Sequence, residues 1–335
     1  MESRSTLPSS WYRDPLTYER ERHAIFARSW QYVGHRAQLS RTGDFIAVDI
    51  AGWPIFVVVD DRGDLTGFHN VCAHRAGPIV TDGAGRCTLT CRYHGWTYRW
   101  NGELLAARDF QGDESVLAGA RLAPVRVDVW RDLVFANLDP EPEALTVALG
   151  SLAELARGYE IERYELRHHG AHAIDANWKT YADNYGEGYH IPLVHPGLNR
   201  AVDVRSYRVE VLDGGRLHRH ISPARDGAPT VGQWLYLWPN MALNLYPNGM
   251  SVERFAPRGF GRVDVLLDYY FAPGTPDADV KRAVKSSEEI TAEDVAICEA
   301  VQRNLDAGRY QSGMLSPRHE NGVAAFQRLV QQALG

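Results

Sequence analysis

Two Cys/His pairs constrain the first half of this 335-residue chain more than any other feature. Cys72 and His74 are separated by one residue, sixteen residues follow, and Cys91 and His94 are separated by two. Each limb offers one thiol and one imidazole, so both limbs are expected to close on a shared centre. Gly77, Pro78, Gly83, Gly85 and Gly95 among them supply the tight turns that such loops need. The surrounding runs "DFIAVDI", "WPIFVVVDDRGDLTGFHN", "LTCRYHGWTYRW" and "WRDLVFANLD" are apolar and β-branched between polar breaks, the pattern of antiparallel strands, so the pairs belong on loops between strands. Cys87 lies between the limbs outside their spacing and reads as structural, as does Cys298; four Cys in all are too few for a disulfide scaffold.

The length suits two domains. We expect an N-terminal helical segment over 1–30, with Ile25, Phe26 and Trp30 as its apolar face, a first domain over 31–150 and a second over 151–335. The stretch "EPEALTVALGSLAELARGYE" reads as a connecting helix. A strand at 165–174 and a helix at 177–190 open the second domain. Strands follow near 205–212, 216–222, 233–238, 242–246, 251–256 and 263–272, then a long amphipathic helix from Asp277 to Leu305 and a terminal helix from Gly322. Antiparallel strands wrapped on one long helix make the fold class α+β. The net charge of −6, with no run of Lys or Arg, gives no surface for nucleic acid. The polar start "MESRSTLPSSWYRDP" and the absence of any stretch of about 20 apolar residues give no secretory signal or membrane span, so a cytoplasmic location is expected.

A second group of chemistry-bearing residues lies in "NWKTYADNYGEGYHIPLVHPGL". On a helix over 177–190, Asp183, Glu187 and His190 recur at i, i+4 and i+7 and share a face, with Pro192 ending the helix and His195 reaching back from the loop. Two imidazoles lack a carboxylate to complete the facial triad of a non-haem Fe(II) site. Asp294 in "EEITAEDVAICEAVQRNL" is the candidate. It falls within the apolar stripe of Ile290, Ile297, Val301 and Leu305, where a carboxylate is costly unless paired or bound to a metal. Glu288, Glu289 and Glu293 lie off the stripe and read as solvated. Any one of His190, His195 and Asp294 alone would read as a satisfied core or capping residue.

For the loop pairs, one zinc ion on Cys2His2 and a [2Fe-2S] cluster are the two readings. Common zinc modules put Cys with Cys and His with His, whereas a cluster with both Cys on one iron and both His on the other takes one of each from each limb. C-A-H-R-A-G-P with C-R-Y-H-G-W resembles the Rieske motif of the Rieske non-haem iron oxygenase (aromatic-ring-hydroxylating dioxygenase) α-subunit family, with Arg75, Tyr93 and Trp96 at supporting positions. N-W-K…D-N-Y-x-E-x-Y-H-x4-H and E-D-x-x-I-C-E-x-V-Q resemble its catalytic domain, in the family's order over nearly the whole chain.

That resemblance implies an N-terminal antiparallel β Rieske domain and a C-terminal helix-grip (START-like) catalytic domain. It implies a cluster on Cys72, His74, Cys91 and His94, Fe(II) on His190, His195 and Asp294, and O2 as cosubstrate. Electrons would come from NAD(P)H through a reductase, with or without a ferredoxin, since the chain has no Gly-rich dinucleotide fingerprint. It further implies a head-to-tail homotrimer in which Glu187, where most members carry Asp, links a neighbour's His74 or His94 to the iron, with Asp183 supporting the ligands. Glu187 and the run Trp-Pro-Asn-Met resemble the carnitine and choline branch.

The segment "GQWLYLWPNMALNLYPNGMSVERF" places Trp234, Tyr236, Trp238, Asn244 and Tyr246 at even spacing, so several share a sheet face. They would line the substrate pocket, caging a methylated ammonium or stacking on a ring; ordinary core packing is the other reading. The expected function is hydroxylation, or N- or O-demethylation, of a small organic substrate. An aromatic ring-hydroxylating dioxygenase or aromatic-acid O-demethylase, a pure electron carrier, and a zinc-bearing binding protein without catalysis are the competing readings.

Overall fold

The β-branched runs on either side of the first Cys/His pair form antiparallel strands in the computed structural model, which describes residues 5–112, 114–225 and 232–335. The first unit spans Phe26–Ala148. Its strands are β1 (Gln31–His35), β2 (Asp44–Ile50), β3 (Trp53–Val59), β4 (Leu65–His69), β5 (Gly83–Arg86), β6 (Thr97–Tyr98), β7 (Leu104–Ala106), β8 (Pro124–Trp130) and β9 (Leu133–Asn137). Seven make an antiparallel sheet in the order β1-β9-β8-β4-β3-β2-β5, and β6-β7 form a separate ribbon. Asp60 makes the expected break between β3 and β4: its Oδ1 accepts from the N–H groups of Arg62 and Asp64 at 2.9 and 2.8 Å. Ala51 and Gly52 both take positive φ (48° and 92°) in the two-residue loop between β2 and β3, the conformation whose twist suits a tight hairpin. Phe45, Phe56, Phe68, Leu89 and Leu122 build a core that reaches Cys72 and Cys91.

Leu149–Gly335 and the N-terminal segment up to Ile25 form the second unit. The expected N-terminal helical segment over 1–30 holds a shorter α-helix: α1 is Pro15–Ala24, capped by Asp14, and residues 1–4 lie outside the described residues. The expected connecting helix is broken at Gly150, whose φ of 53° and close approach to the Asp213 carboxylate leave no room for a side chain. Asp213 instead binds the Ser151 N–H at 2.7 Å and hydroxyl at 2.8 Å.

Strands β10 (Glu165–Ile174), β11 (Arg208–Leu212), β12 (Leu217–Ile221), β13 (Gln233–Leu237), β14 (Met241–Tyr246), β15 (Gly249–Pro257) and β16 (Val263–Phe271) follow the expected positions closely. They pair in the order β10-β16-β15-β14-β13-β12-β11, a meander whose first strand returns beside its last. The helices that bear on the site are α2 (Trp178–Tyr185), α3 (Ile191–Val194), α4 (Pro196–Ala201), α5 (Asp277–Asp306) and α6 (Asn321–Leu334). The long α5 packs on β10 and on α2.

Two expectations fail here for local reasons. The helix over 177–190 ends at Tyr185, where the Gly186 N–H turns to the carbonyls of Ala182 and Asp183. Gly188 then passes so close to the Tyr207 ring that a Cβ would stand 2.3 Å from it. Pro192 does not stop a helix; it sits in the first turn of α3, where its missing N–H has no partner to lose. Among the described residues no helix is long and apolar enough to cross a membrane.

Lys179 on α2 is buried against Glu21 of α1, Nζ to Oε1 at 2.6 Å, while Trp178 Nε1 donates to Glu21 Oε2 at 2.8 Å. Both charges are fully removed from water, so deleting one strands the other. Glu21→Gln is expected to lower stability by about 3 kcal/mol in urea titration. Two buried histidines set a pH dependence: burial pushes His218 down to about 4 and His220 down to about 3. Both groups bind protons more readily in the unfolded chain, near 6.5, so the stability they contribute is present above pH 6.5 and is lost as pH falls toward 3. The urea midpoint should therefore fall steadily below pH 6.5, and His218→Phe should flatten that slope.

Candidate metal centres and substrate cavity

The two Cys/His loops are the same turn used twice. Cys72 N–H donates to Gly77 O at 2.9 Å and Ala76 N–H to Cys72 O at 3.0 Å; Cys91 N–H donates to Trp96 O at 2.8 Å and Gly95 N–H to Cys91 O at 2.9 Å. The fifth residue of each turn takes positive φ, 55° at Ala76 and 76° at Gly95. Gly77 brings the loops together: a Cβ there would stand 2.8 Å from Cys91 Sγ. The thiols are buried, Cys72 at 3% and Cys91 at 2% exposure, while the imidazoles lie toward the surface. The His74 and His94 ring centroids are 4.7 Å apart, and His74 stacks on Trp96 at 4.6 Å. Tyr98 Oη lies 3.0 Å from Cys72 Sγ and accepts the Ala73 N–H at 3.0 Å, so its own proton is available to a Cys72 thiolate.

His190, His195 and Asp294 each bring one donor atom within 4.8 Å of the others, as a single ion would require. Buried thiols set below outward imidazoles, with backbone packed against sulfur, fit a two-iron cluster better than one zinc.

In the second unit, His190 Nε2 and His195 Nε2 are 3.1 Å apart, and Asp294 Oδ1 lies 3.0 Å from His195 Nε2 and 3.7 Å from His190 Nε2. Bonds of about 2.1 Å at right angles would put donor atoms about 3 Å apart, so the three suit one face of an octahedral ion. Both remote nitrogens are held by carboxylates: Glu187 Oε1 at 2.5 Å from His190 Nδ1, Glu293 Oε2 at 2.7 Å from His195 Nδ1. Asn184 Nδ2 donates to Asp294 Oδ1 at 2.7 Å. Burial lowers the His195 pKa, but Asp294 and Glu293 outweigh it and leave it raised.

Several expected placements change. Glu293 is not merely solvated; it lies one residue before Asp294, and its bond to His195 is the contact the helical stripe did not reveal. The buried face of α5 runs through Thr291, Asp294, Cys298, Gln302 and Leu305, while Val301 is 41% exposed. Asp183 does not touch the ligands. With the helix broken after Tyr185, it points to Tyr12 Oη at 2.5 Å and Gln327 Nε2 at 3.0 Å. Burial lifts its pKa to about 7 against the lowering by Tyr12, Gln327 and Lys179.

The triad opens on a cavity of about 450 Å³. His220, Trp234, Asn244, Ser251 and Tyr269 stand directly opposite one another across β12-β13-β14-β15-β16 and all line it. Trp234 and Tyr246 meet edge to face, with centroids 6.2 Å apart. Tyr236, farther along β13, and Trp238, in the turn after it, do not line the cavity, because Phe326 of α6 covers them at 6.0 and 5.9 Å. Glu253, fully inside the sheet face, was not among the expected site residues.

Residues 29–116 match the family model described as the Rieske [2Fe-2S] domain, and residues 156–335 match that of the ring hydroxylating alpha subunit catalytic domain. The chain belongs to the ring-hydroxylating oxygenase α-subunit family. It is 31% identical to the chloroplastic choline monooxygenase of Arabidopsis thaliana over 93% of this chain and 79% of that one. It is 28% identical to the carnitine monooxygenase oxygenase subunit of Escherichia coli over 98% and 93%. A solved structure of the quaternary ammonium Rieske monooxygenase CntA with L-carnitine superposes with a TM-score of 0.87 at 28% identity, covering 99% of this chain and 96% of that one. This α+β chain is therefore the terminal component of a Rieske oxygenase, an oxidoreductase that uses O2, a [2Fe-2S] cluster and a mononuclear iron.

Carboxylates behind metal-binding imidazoles typically contribute about 10- to 100-fold in metal affinity. Glu293→Ala is expected to weaken mononuclear iron binding by at least about tenfold in anaerobic chelator competition, with acid-labile sulfide unchanged.

Proposed function

We propose that the chain oxidises a small quaternary ammonium compound, by hydroxylation or N-demethylation, with iron held by His190, His195 and Asp294 and the cluster by Cys72, His74, Cys91 and His94. The observation that carries this reading is the convergence of three donor atoms at 3.0 to 3.7 Å beside a sheet face lined by Trp234, Tyr246 and further tyrosines. Bound there, Fe(II) supplied with electrons from the cluster provides reductive activation of O2.

The chain's own residues prepare that chemistry. Glu187 and Glu293 accept from Nδ1, which fixes each imidazole with its Nε2 lone pair toward the ion. Asn184 occupies part of the Asp294 carboxylate and fixes its direction. Three protein donors on one side of a bound ion would leave positions for O2 and substrate. Aromatic faces attract a trimethylammonium group that carries no hydrogen-bond donor, holding it by cation–π attraction and by exclusion of water.

Electron supply completes the proposal. An NAD(P)H-dependent reductase, a head-to-tail homotrimer and a cytoplasmic setting belong to it, supported by the likeness to the carnitine and choline monooxygenases. Glu187, already bonded to His190, is the group through which a neighbouring subunit's cluster would reach this iron.

Substrate-stimulated O2 uptake with a surrogate reductase, across trimethylammonium compounds, methoxyaromatics and aromatic acids, tests the substrate class: stimulation by aromatic compounds alone would overturn it. His190→Ala and Asp294→Ala are expected to abolish turnover and mononuclear iron while leaving cluster absorbance intact. In Glu187→Gln both metals should remain and single-turnover reoxidation of the cluster should slow at least about tenfold; an unchanged rate removes Glu187 from the electron path.

A further inference from the structure

We propose that Glu253 is the counter-charge for a substrate that is a pure cation, a trimethylammonium group with a neutral hydroxyl-type tail, and that the cavity rejects zwitterions carrying a carboxylate. This rests on the quaternary ammonium reading above and narrows it.

Glu253 is 7% exposed, on β15, and lines the cavity beside Ser251. An amide holds it. Asn244 Nδ2 donates to Glu253 Oε1 at 2.7 Å and to Ser251 Oγ at 3.1 Å, and the Tyr185 hydroxyl donates to Asn244 Oδ1 at 2.8 Å, so the amide cannot turn over without losing all three bonds. Asn244 orients the carboxylate without neutralising it. Burial lifts Glu253 to about 7, against the lowering by Asn244, and Asp294 adds to the rise. A cation placed in the cavity would favour the ionised form. Glu253 in turn helps raise the phenols of Tyr185, Tyr246 and Tyr269, which surround the same space, although burial is the larger cause for each.

Away from the imidazoles and the iron they would hold, the charged side chains of the lining are of one sign. Its carboxylates are Glu187, Glu253, Asp279 and Asp294, and among the described residues no Lys or Arg lines it. Glu187 and Asp294 are engaged with the imidazoles, and Asp279 accepts from Arg282 on the same helix. Glu253 is the carboxylate left for a ligand. A substrate carboxylate would enter a low-dielectric space among like charges with no lining guanidinium or ammonium to receive it, which selects against zwitterions. Asn248, Ser286 and Ser287 offer uncharged partners suited to a hydroxyl.

The test is calorimetric binding to anaerobic holoenzyme of choline, its uncharged carbon isostere 3,3-dimethylbutan-1-ol, and glycine betaine. Wild type should bind choline at least about tenfold more tightly than either of the others. Glu253→Gln should bring choline and the isostere to within about threefold, with iron and sulfide content unchanged. A retained tenfold preference in Glu253→Gln, or loss of iron without loss of discrimination, overturns the role of Glu253. Glycine betaine binding wild type as tightly as choline overturns the exclusion of zwitterions while sparing the quaternary ammonium reading. That reading falls instead if none of the trimethylammonium compounds binds and 4-methoxybenzoate does. Should Glu253→Gln fail to fold, a wild type that binds choline no more tightly than the isostere still overturns the counter-charge, and one that binds glycine betaine as tightly as choline still overturns the exclusion of zwitterions.

Discussion

Asp294 faces inward from the buried side of a thirty-residue helix, and most of the second unit can be read as the means of making that tolerable. A carboxylate removed from water is costly unless charge or hydrogen bonds replace its hydration. Here two imidazole nitrogens lie 3.0 and 3.7 Å from Oδ1 and an amide 2.7 Å from it. The same arrangement is what a divalent ion requires. The two further carboxylates behind the imidazoles make the surroundings net negative, which disfavours an empty site and favours a cation in it.

How much of this is legible in the sequence depends on how local each contact is. The loop pairs and the His190/His195 pair are contiguous motifs, and their residue types and spacing carry the chemistry without any knowledge of the fold. Glu293 is different. On a helix it lies about 100° from Asp294, and helical periodicity assigns it to the solvated side. It reaches the site because the His195 ring comes in from a neighbouring turn and meets the helix at its edge, a tertiary fact with no sequence period. Asp183 misled in the opposite sense. Its spacing to Glu187 and His190 suits one helical face, but Gly186 ends the helix between them, and Asp183 is left facing Tyr12 and Gln327.

The cavity shows the same division. Alternation along β13 and β14 identifies a common face, and Trp234, Asn244 and Tyr246 are on it. Alternation does not say where along a strand the helical layer stops. Phe326 closes the face above Tyr236 and Trp238, so two residues with the right parity belong to packing. Glu253 had the right parity too, but a lone Glu in a strand is ordinarily solvent-facing. Only the register, which sets Asn244 opposite Ser251 and Ala242 opposite Glu253, shows it to be inside.

Rigidity is distributed unevenly around the triad. His190 and His195 come from a bent segment of glycine-flanked turns, whereas Asp294 comes from the middle of the long α5. Their mutual geometry therefore depends on how α2 and α5 are keyed together. Gln302, two turns beyond Asp294, does this: its Oε1 accepts from Asn177 N–H at 3.0 Å and Thr180 Oγ1 at 3.1 Å, at the start of α2. Asn184, near the end of α2, closes the other end of the same interface on Asp294 itself. Two polar clasps set the helices in register, and their hydrogen bonds join α5 to α2 and its cap rather than to the sheet row that lines the cavity. Substitutions on that row can change what is bound while leaving the metal geometry in place, which is a physical reason one scaffold can serve different substrates.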